Sequence, residues 1–193
     1  MTYLILGLVI FFGSHLFSAF RSREAGKDLR EKIGYGPYMG LYSLVSAVGL
    51  GLIVWGFGAA RPSQVLYAPP AGLAHVNLLL MVVALILLAA AYMPTGYIKK
   101  AVKHPMLAAV KVWAFGHLLA NGELNSVLLF GCFLAYGVID RIAVKKRGDN
   151  GPGPDAAVNV TGDIGAVVVG LGAYAAVAFY LHPVLFGVAA MPG

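Results

Sequence analysis

The chain carries little charge. Only 11% of its 193 residues are Asp, Glu, Lys or Arg, against about 25% in soluble domains, which excludes an ordinary water-soluble globule. It has one cysteine, Cys132 in LLFGCFLAY, so an internal disulfide and a thiolate-bound metal cluster are both ruled out. A lone thiol on an apolar helix reads as packing. Acidic residues are scarce, eight against fourteen Lys and Arg. The resulting net charge of +6 would suggest nucleic acid for a soluble protein. Here the basic residues gather in short loops between apolar runs, so the charge reads as membrane topology, with no nucleic-acid role.

What the chain has instead is hydrophobicity: 60% apolar residues and a mean hydropathy of +0.81. Apolar runs lie at about 2 to 20, 38 to 59, 73 to 93, 105 to 120, 124 to 141 and 163 to 190, matching the roughly 20 residues a membrane helix needs, except that the fourth is short. They predict an all-α integral membrane bundle of six transmembrane helices, with five as the alternative, in one domain over 1–193 that contacts lipid. The fourth and fifth read as a hairpin turning at Asn121-Gly122.

The first run has no basic residues before it and many after it, so it reads as a retained helix with its N-terminus outside. Loop 21 to 37 holds Arg21, Arg23, Lys27, Arg30 and Lys32; 97 to 104 holds Lys99, Lys100 and Lys103; 141 to 150 holds Arg141, Lys145, Lys146 and Arg147. Six spans with both termini outside put all three loops in the cytoplasm, and five spans would misplace one. The Gly/Pro-rich stretch 148 to 162 is a cytoplasmic connector, whose Asn159-Val160-Thr161 is a glycosylation sequon only by pattern. Small residues spaced by four, in Gly162, Ala166 and Gly170 and in Ser43, Ala47 and Gly51, predict close helix packing.

Two histidines lie inside apolar runs: His15 in GLVIFFGSHLFSAF and His117 in MLAAVKVWAFGHLLAN. A titratable ring has no partner in lipid, so such residues face the bundle interior and mark sites. Lys103, Met106, Val110, Trp113, His117 and Asn121 share one helical stripe, as do Leu8, Phe11, Phe12, His15, Ser18 and Ala19. Two such faces could hold a flat macrocycle between axial imidazoles; alternatively, each histidine simply bonds a neighbouring helix. Lys111, midway along a short span, needs a counterion. A haem propionate would serve, with Arg21 and Arg23 as alternative partners or plain topology charges. His104 and His182 precede prolines near helix ends. His104 is about 20 Å along the helix from His117 and cannot share a metal with it. His75 reads as solvated.

The runs GSHLFSAFRSREAGKDLREKIGYGPYMGLYSLVS and HPMLAAVKVWAFGHLLANGEL, the Asp140-Arg141 ending of the fifth helix and the closing LHPVLFGV resemble the NnrU family of bacterial membrane proteins, which includes the plant and cyanobacterial 15-cis-zeta-carotene isomerase. The resemblance runs nearly end to end, and HP followed by W-x-x-x-H-L-x-x-N is its most specific part. It implies a multi-pass haem b protein of the bacterial cytoplasmic membrane whose axial histidines correspond to His15 and His117. It further implies redox or nitric oxide/nitrite (denitrification) chemistry, or isomerisation of a carotenoid-like polyene entering from lipid. The isomerase has a cysteine three residues before the second histidine, implicated in a redox-dependent ligand change; here that position is Ala114, which weighs against simple transfer of the isomerisation.

On this reading Trp113 with Phe11 or Phe12 packs the macrocycle, and Lys111 or Arg21 holds propionates. By helix rise His15 and His117 differ in depth by roughly 10 Å, which tilt or an inclined porphyrin would reconcile. A further class is a non-enzymatic membrane partner of a reductase or of an assembly system, which differs only in having no turnover, and the expected partners include a second copy of the chain in a homo-oligomer or a reductase. An S-adenosylmethionine-dependent membrane methyltransferase is a further alternative, because that type also has His-Pro at a helix end; its paired glutamates are missing after Glu123.

Overall fold

A computed structural model of the chain describes residues 1–191. Among them every regular element is helical, apart from one isolated pairing of Val65 with Glu123. In chain order the helices are α1 (Thr2–Phe20), α2 (Leu29–Ile33), α3 (Tyr35–Ala59), α4 (Gly72–Tyr92), α5 (Tyr97–Val102), α6 (Pro105–Ala120), α7 (Leu124–Lys146), α8 (Val160–Ala176) and α9 (His182–Phe186), with a π-helical turn at Val177–Leu181 joining the last two. Five segments are long and apolar enough to cross a membrane: α1, α3, α4, α7 and the continuous run Val160–Phe186. The sixth expected run is the shorter apolar helix α6.

Differences from the expected boundaries have local causes. α3 begins at Tyr35 because Gly34, at φ +89°, turns the chain and Pro37 fits the first helical turn. α7 continues to Lys146 past the end of its apolar run, where basic residues suit a helix C-terminus. Asn159 accepts a hydrogen bond from the Thr161 N–H at 2.9 Å, so the sequon is the N-cap of α8. Pro183 cannot donate to the carbonyl four residues back, and the backbone widens into the π turn just before it. α2 and α5 went unread because they are short, charged and inside basic loops.

The chain forms two compact units, Met1–Gln64 and the remainder from Val65. In the first, α1 and α3 cross through glycines. A Cβ on Gly7 would lie 2.6 Å from the Ile53 nitrogen, and one on Gly49 would lie 2.7 Å from the Phe11 nitrogen. Only glycine permits that approach of backbone to backbone. The expected line Ser43, Ala47, Gly51 is not this interface: all three are exposed, and nothing lies within 4 Å of a Cβ at Gly51. The contact follows Gly49, Ile53 and Gly56, because three-and-four spacing suits a helix face better than strict fours.

In the second unit α4 packs on α6 and α8, and α6 packs on α7. Here the small-residue line is as expected. Gly162, Ala166 and Gly170 are the buried residues of α8, with Ala166 against Ala89 and Ala90 of α4. Asp163 accepts from the Tyr97 and Ile98 N–H groups at 2.8 and 2.9 Å, fastening the start of α5 to α8. Leu79, Val168 and Phe179 point outward at 70%, 64% and 58% exposure, as lipid-facing residues do.

Candidate functional site

His15 sits on the last turns of α1. Its Nδ1 lies 2.7 Å from the carbonyl of Phe11, one turn back on its own helix. A carbonyl only accepts, so Nδ1 carries the proton and the ring's lone pair is on Nε2. Phe11 stacks on the imidazole at 4.1 Å between centroids and Tyr42 of α3 tilts against it at 5.2 Å. Ser14, hydrogen-bonded to Ser46 of α3 at 3.1 Å, touches the same nitrogen at 3.3 Å. Phe12 is buried, edge-on to Phe11.

His117, near the C-terminus of α6, repeats this arrangement. Its Nδ1 donates to the Trp113 carbonyl at 2.9 Å, again leaving the lone pair on Nε2. The ring stacks on Phe130 of α7 at 4.4 Å and lies 5.2 Å from Trp113, which is edge-on to Phe130 and Phe133. Ala114 is fully buried. Asn121 returns its side-chain amide to the His117 carbonyl at 2.9 Å. The Tyr67 hydroxyl donates to the carbonyls of Leu118 and of Asn121, the latter at 3.0 Å, while Leu66 N–H reaches the Gly122 carbonyl at 2.8 Å. The turn that ends α6 is thereby strapped in place.

The remaining histidines divide by which nitrogen is used. His104 donates from Nε2 to the Asp149 carbonyl at 3.0 Å, tying the connector to the start of α6. His182 uses Nδ1 toward the Val188 carbonyl at 2.8 Å. His75 is exposed, as expected.

Arg21 turns its guanidinium onto Asp28, with only 6% and 4% of the two side chains exposed, and lies over the Tyr38 ring at 5.4 Å. The Arg21 bond, with the Arg30 N–H at 2.9 Å, holds the Asp28 carboxyl below its ordinary pKa. Arg21 is therefore already charge-paired. Lys111 runs its stem across Gly137 of α7, where a Cβ would lie 2.8 Å from the Lys111 Cγ.

His15 and His117 belong to different compact units, so the structure assembles an imidazole cluster around each separately. Phe130, Phe133, Tyr42 and Tyr67 were missed in the sequence. The first two stand three apart on the segment read only for its cysteine, and that spacing was the available signal. No group of three or more His, Cys, Asp or Glu that could hold a bare metal ion occurs among the described residues. A cavity of about 400 Å³ lined by Lys100, Lys103 and residues 150–154 touches neither cluster.

The family described as NnrU protein matches residues 3–190. No curated protein and no solved structure matches the chain.

Proposed function

The chain belongs to the NnrU family of membrane proteins, and from that premise we propose that it is an integral membrane haem b protein with His15 and His117 as axial ligands. The observation that carries the reading is that each ring makes the same kind of hydrogen bond on its own helix. Each Nδ1–H is held by the carbonyl one turn back, at 2.7 and 2.9 Å, which fixes the tautomer and leaves the lone pair of each ring on Nε2. A metal-bound imidazole is oriented in this way by a second partner on its other nitrogen. The donor chemistry suits the group: neutral imidazole is a standard axial ligand where a macrocycle supplies the other donors, and Trp113, Phe130 and Phe133 give the His117 side an aromatic wall.

A bound haem would supply one-electron and diatomic-gas chemistry, in keeping with redox or nitric oxide/nitrite metabolism. The protein's own groups orient the imidazoles and exclude water. Polyene isomerisation is the weaker reading here, because Ala114 has no thiol to offer. The expected setting is a multi-pass position in the bacterial cytoplasmic membrane.

Protein purified from haem-supplemented cells should show a Soret band and, on reduction, sharp low-spin visible bands. His15→Ala and His117→Ala should each lose haem or its low-spin character, whereas His75→Ala should change nothing. A colourless wild type would overturn the haem reading, and two fully low-spin ligand variants would overturn the assignment.

A further inference from the structure

Among the described residues, two cations in the α6/α7 pair lack an anion. Among the described residues no hydrogen bond, ion pair or ring contact engages Lys111 or Arg141. Lys111 stands six residues into α6, remote from either helix end, and its stem is confined by Gly137. Arg141 lies four residues beyond Gly137, one turn further along the same α7 face, about 6 Å away at 1.5 Å per residue. Its Nη1 is buried with no hydrogen-bond partner. Asp140, the acid beside it in sequence, accepts from the Tyr136 hydroxyl at 3.2 Å instead.

A topology arginine ordinarily extends its guanidinium into water. A guanidinium nitrogen buried without a partner is costly and calls for an acceptor. The same face of α7 carries Phe130, which stacks on His117. Phe130 and Gly137 are seven residues apart, two turns on one stripe. His117 and Lys111 therefore pack against one stripe of α7, about 9 Å apart along α6, and Arg141 continues that stripe.

We infer that Lys111 and Arg141 form a carboxylate clamp on the α7 stripe that also carries Phe130, holding the propionates of the bound macrocycle. The inference rests on the haem reading and adds Arg141 to it. It also prefers this pair over Arg21, whose charge Asp28 already neutralises. Arginine meets a carboxylate through two N–H groups and lysine supplies a point charge, so the pair suits an acidic edge.

The test is a titration of the full-length apoprotein in detergent with haem and with haem dimethyl ester, read at the Soret band. Wild type should prefer free haem by about tenfold or more. Lys111→Met and Arg141→Met should each weaken haem binding and shrink that preference while ester binding stays within about twofold. The charge-keeping Lys111→Arg and Arg141→Lys should retain most of it, and Lys145→Met, at the exposed end of α7, should leave it unchanged. Equal binding of both ligands by wild type overturns the clamp and leaves the haem reading standing, as does a preference that survives in the Lys111→Met/Arg141→Met double variant. Loss of the preference in Arg21→Gln, with the α6/α7 variants unaffected, also overturns it. If neither ligand yields a Soret band, the clamp falls together with the haem reading. Should a Met variant lose ester binding through misfolding, the wild-type comparison and the charge-keeping pair still decide.

Discussion

Asp28 and Arg21 show how much one residue's setting matters in the loop after α1. Asp28 is 3% exposed, caps α2 through the Arg30 N–H and takes the Arg21 guanidinium. Its folded pKa is depressed, so its stabilisation is complete above the unfolded carboxyl value of about 3.9 and is lost as pH falls through the lower folded one. Thermal unfolding of the detergent-solubilised protein should therefore lose stability across that acid window. Asp28→Asn should be less stable at neutral pH and show a flatter acid limb; an unchanged limb would assign the acid sensitivity to other groups. The histidines were legible at this scale as positions, since apolar flanks single out His15 and His117 from His75. Which ring nitrogen each one offers was not legible, because that depends on carbonyl direction. His104, bonded through Nε2 to Asp149, differs from the other two in a way no residue pattern records.

Among elements, the α1/α3 crossing is where packing is least forgiving. Backbone atoms stand where a Cβ at Gly7 or Gly49 would go, so Gly7→Leu or Gly49→Leu must push the helices apart. Overpacking of this kind costs about 1–3 kcal/mol or more. The midpoint of thermal unfolding should fall clearly in both variants, while Gly51→Leu, into open space, should leave it nearly unmoved; a comparable loss at Gly51 would mean that this face is packed in the membrane. Runs of apolar residues revealed where helices lie, and the α8 line Gly162, Ala166, Gly170 could be read directly. The α3 face could not, because glycines and alanines occur on several sides of that helix and only the partner's contour selects Gly49, Ile53 and Gly56. α5 was hidden for another reason. What holds it is a carboxylate 66 residues on, Asp163 reaching Tyr97, a tertiary contact that six residues of local propensity do not announce.

For the whole molecule, composition and apolar spacing gave the all-helical membrane architecture before any coordinate, since charge at 11% leaves no other solvent for such a surface. The two histidine clusters were half legible: His15, His117 and Trp113 stand out on helical stripes, whereas Tyr42 beside His15, and Phe130, Phe133 and Tyr67 around the end of α6, come from other segments of the chain and acquire meaning only once those segments pack. The short α6 has one more consequence. Its 16 residues rise about 24 Å, less than the roughly 30 Å of a bilayer's hydrocarbon core, while α4 and α7 beside it have 21 and 23 residues. As a sixth span, α6 would require the lipid around it to thin, or its ends to draw inward. Thermal stability in vesicles should then be higher with short acyl chains than with long ones, and an equal midpoint across chain lengths would show that α4 and α7 shield α6 from the acyl chains. A stability that follows acyl-chain length would thereby make bilayer thickness act on the helix that carries His117.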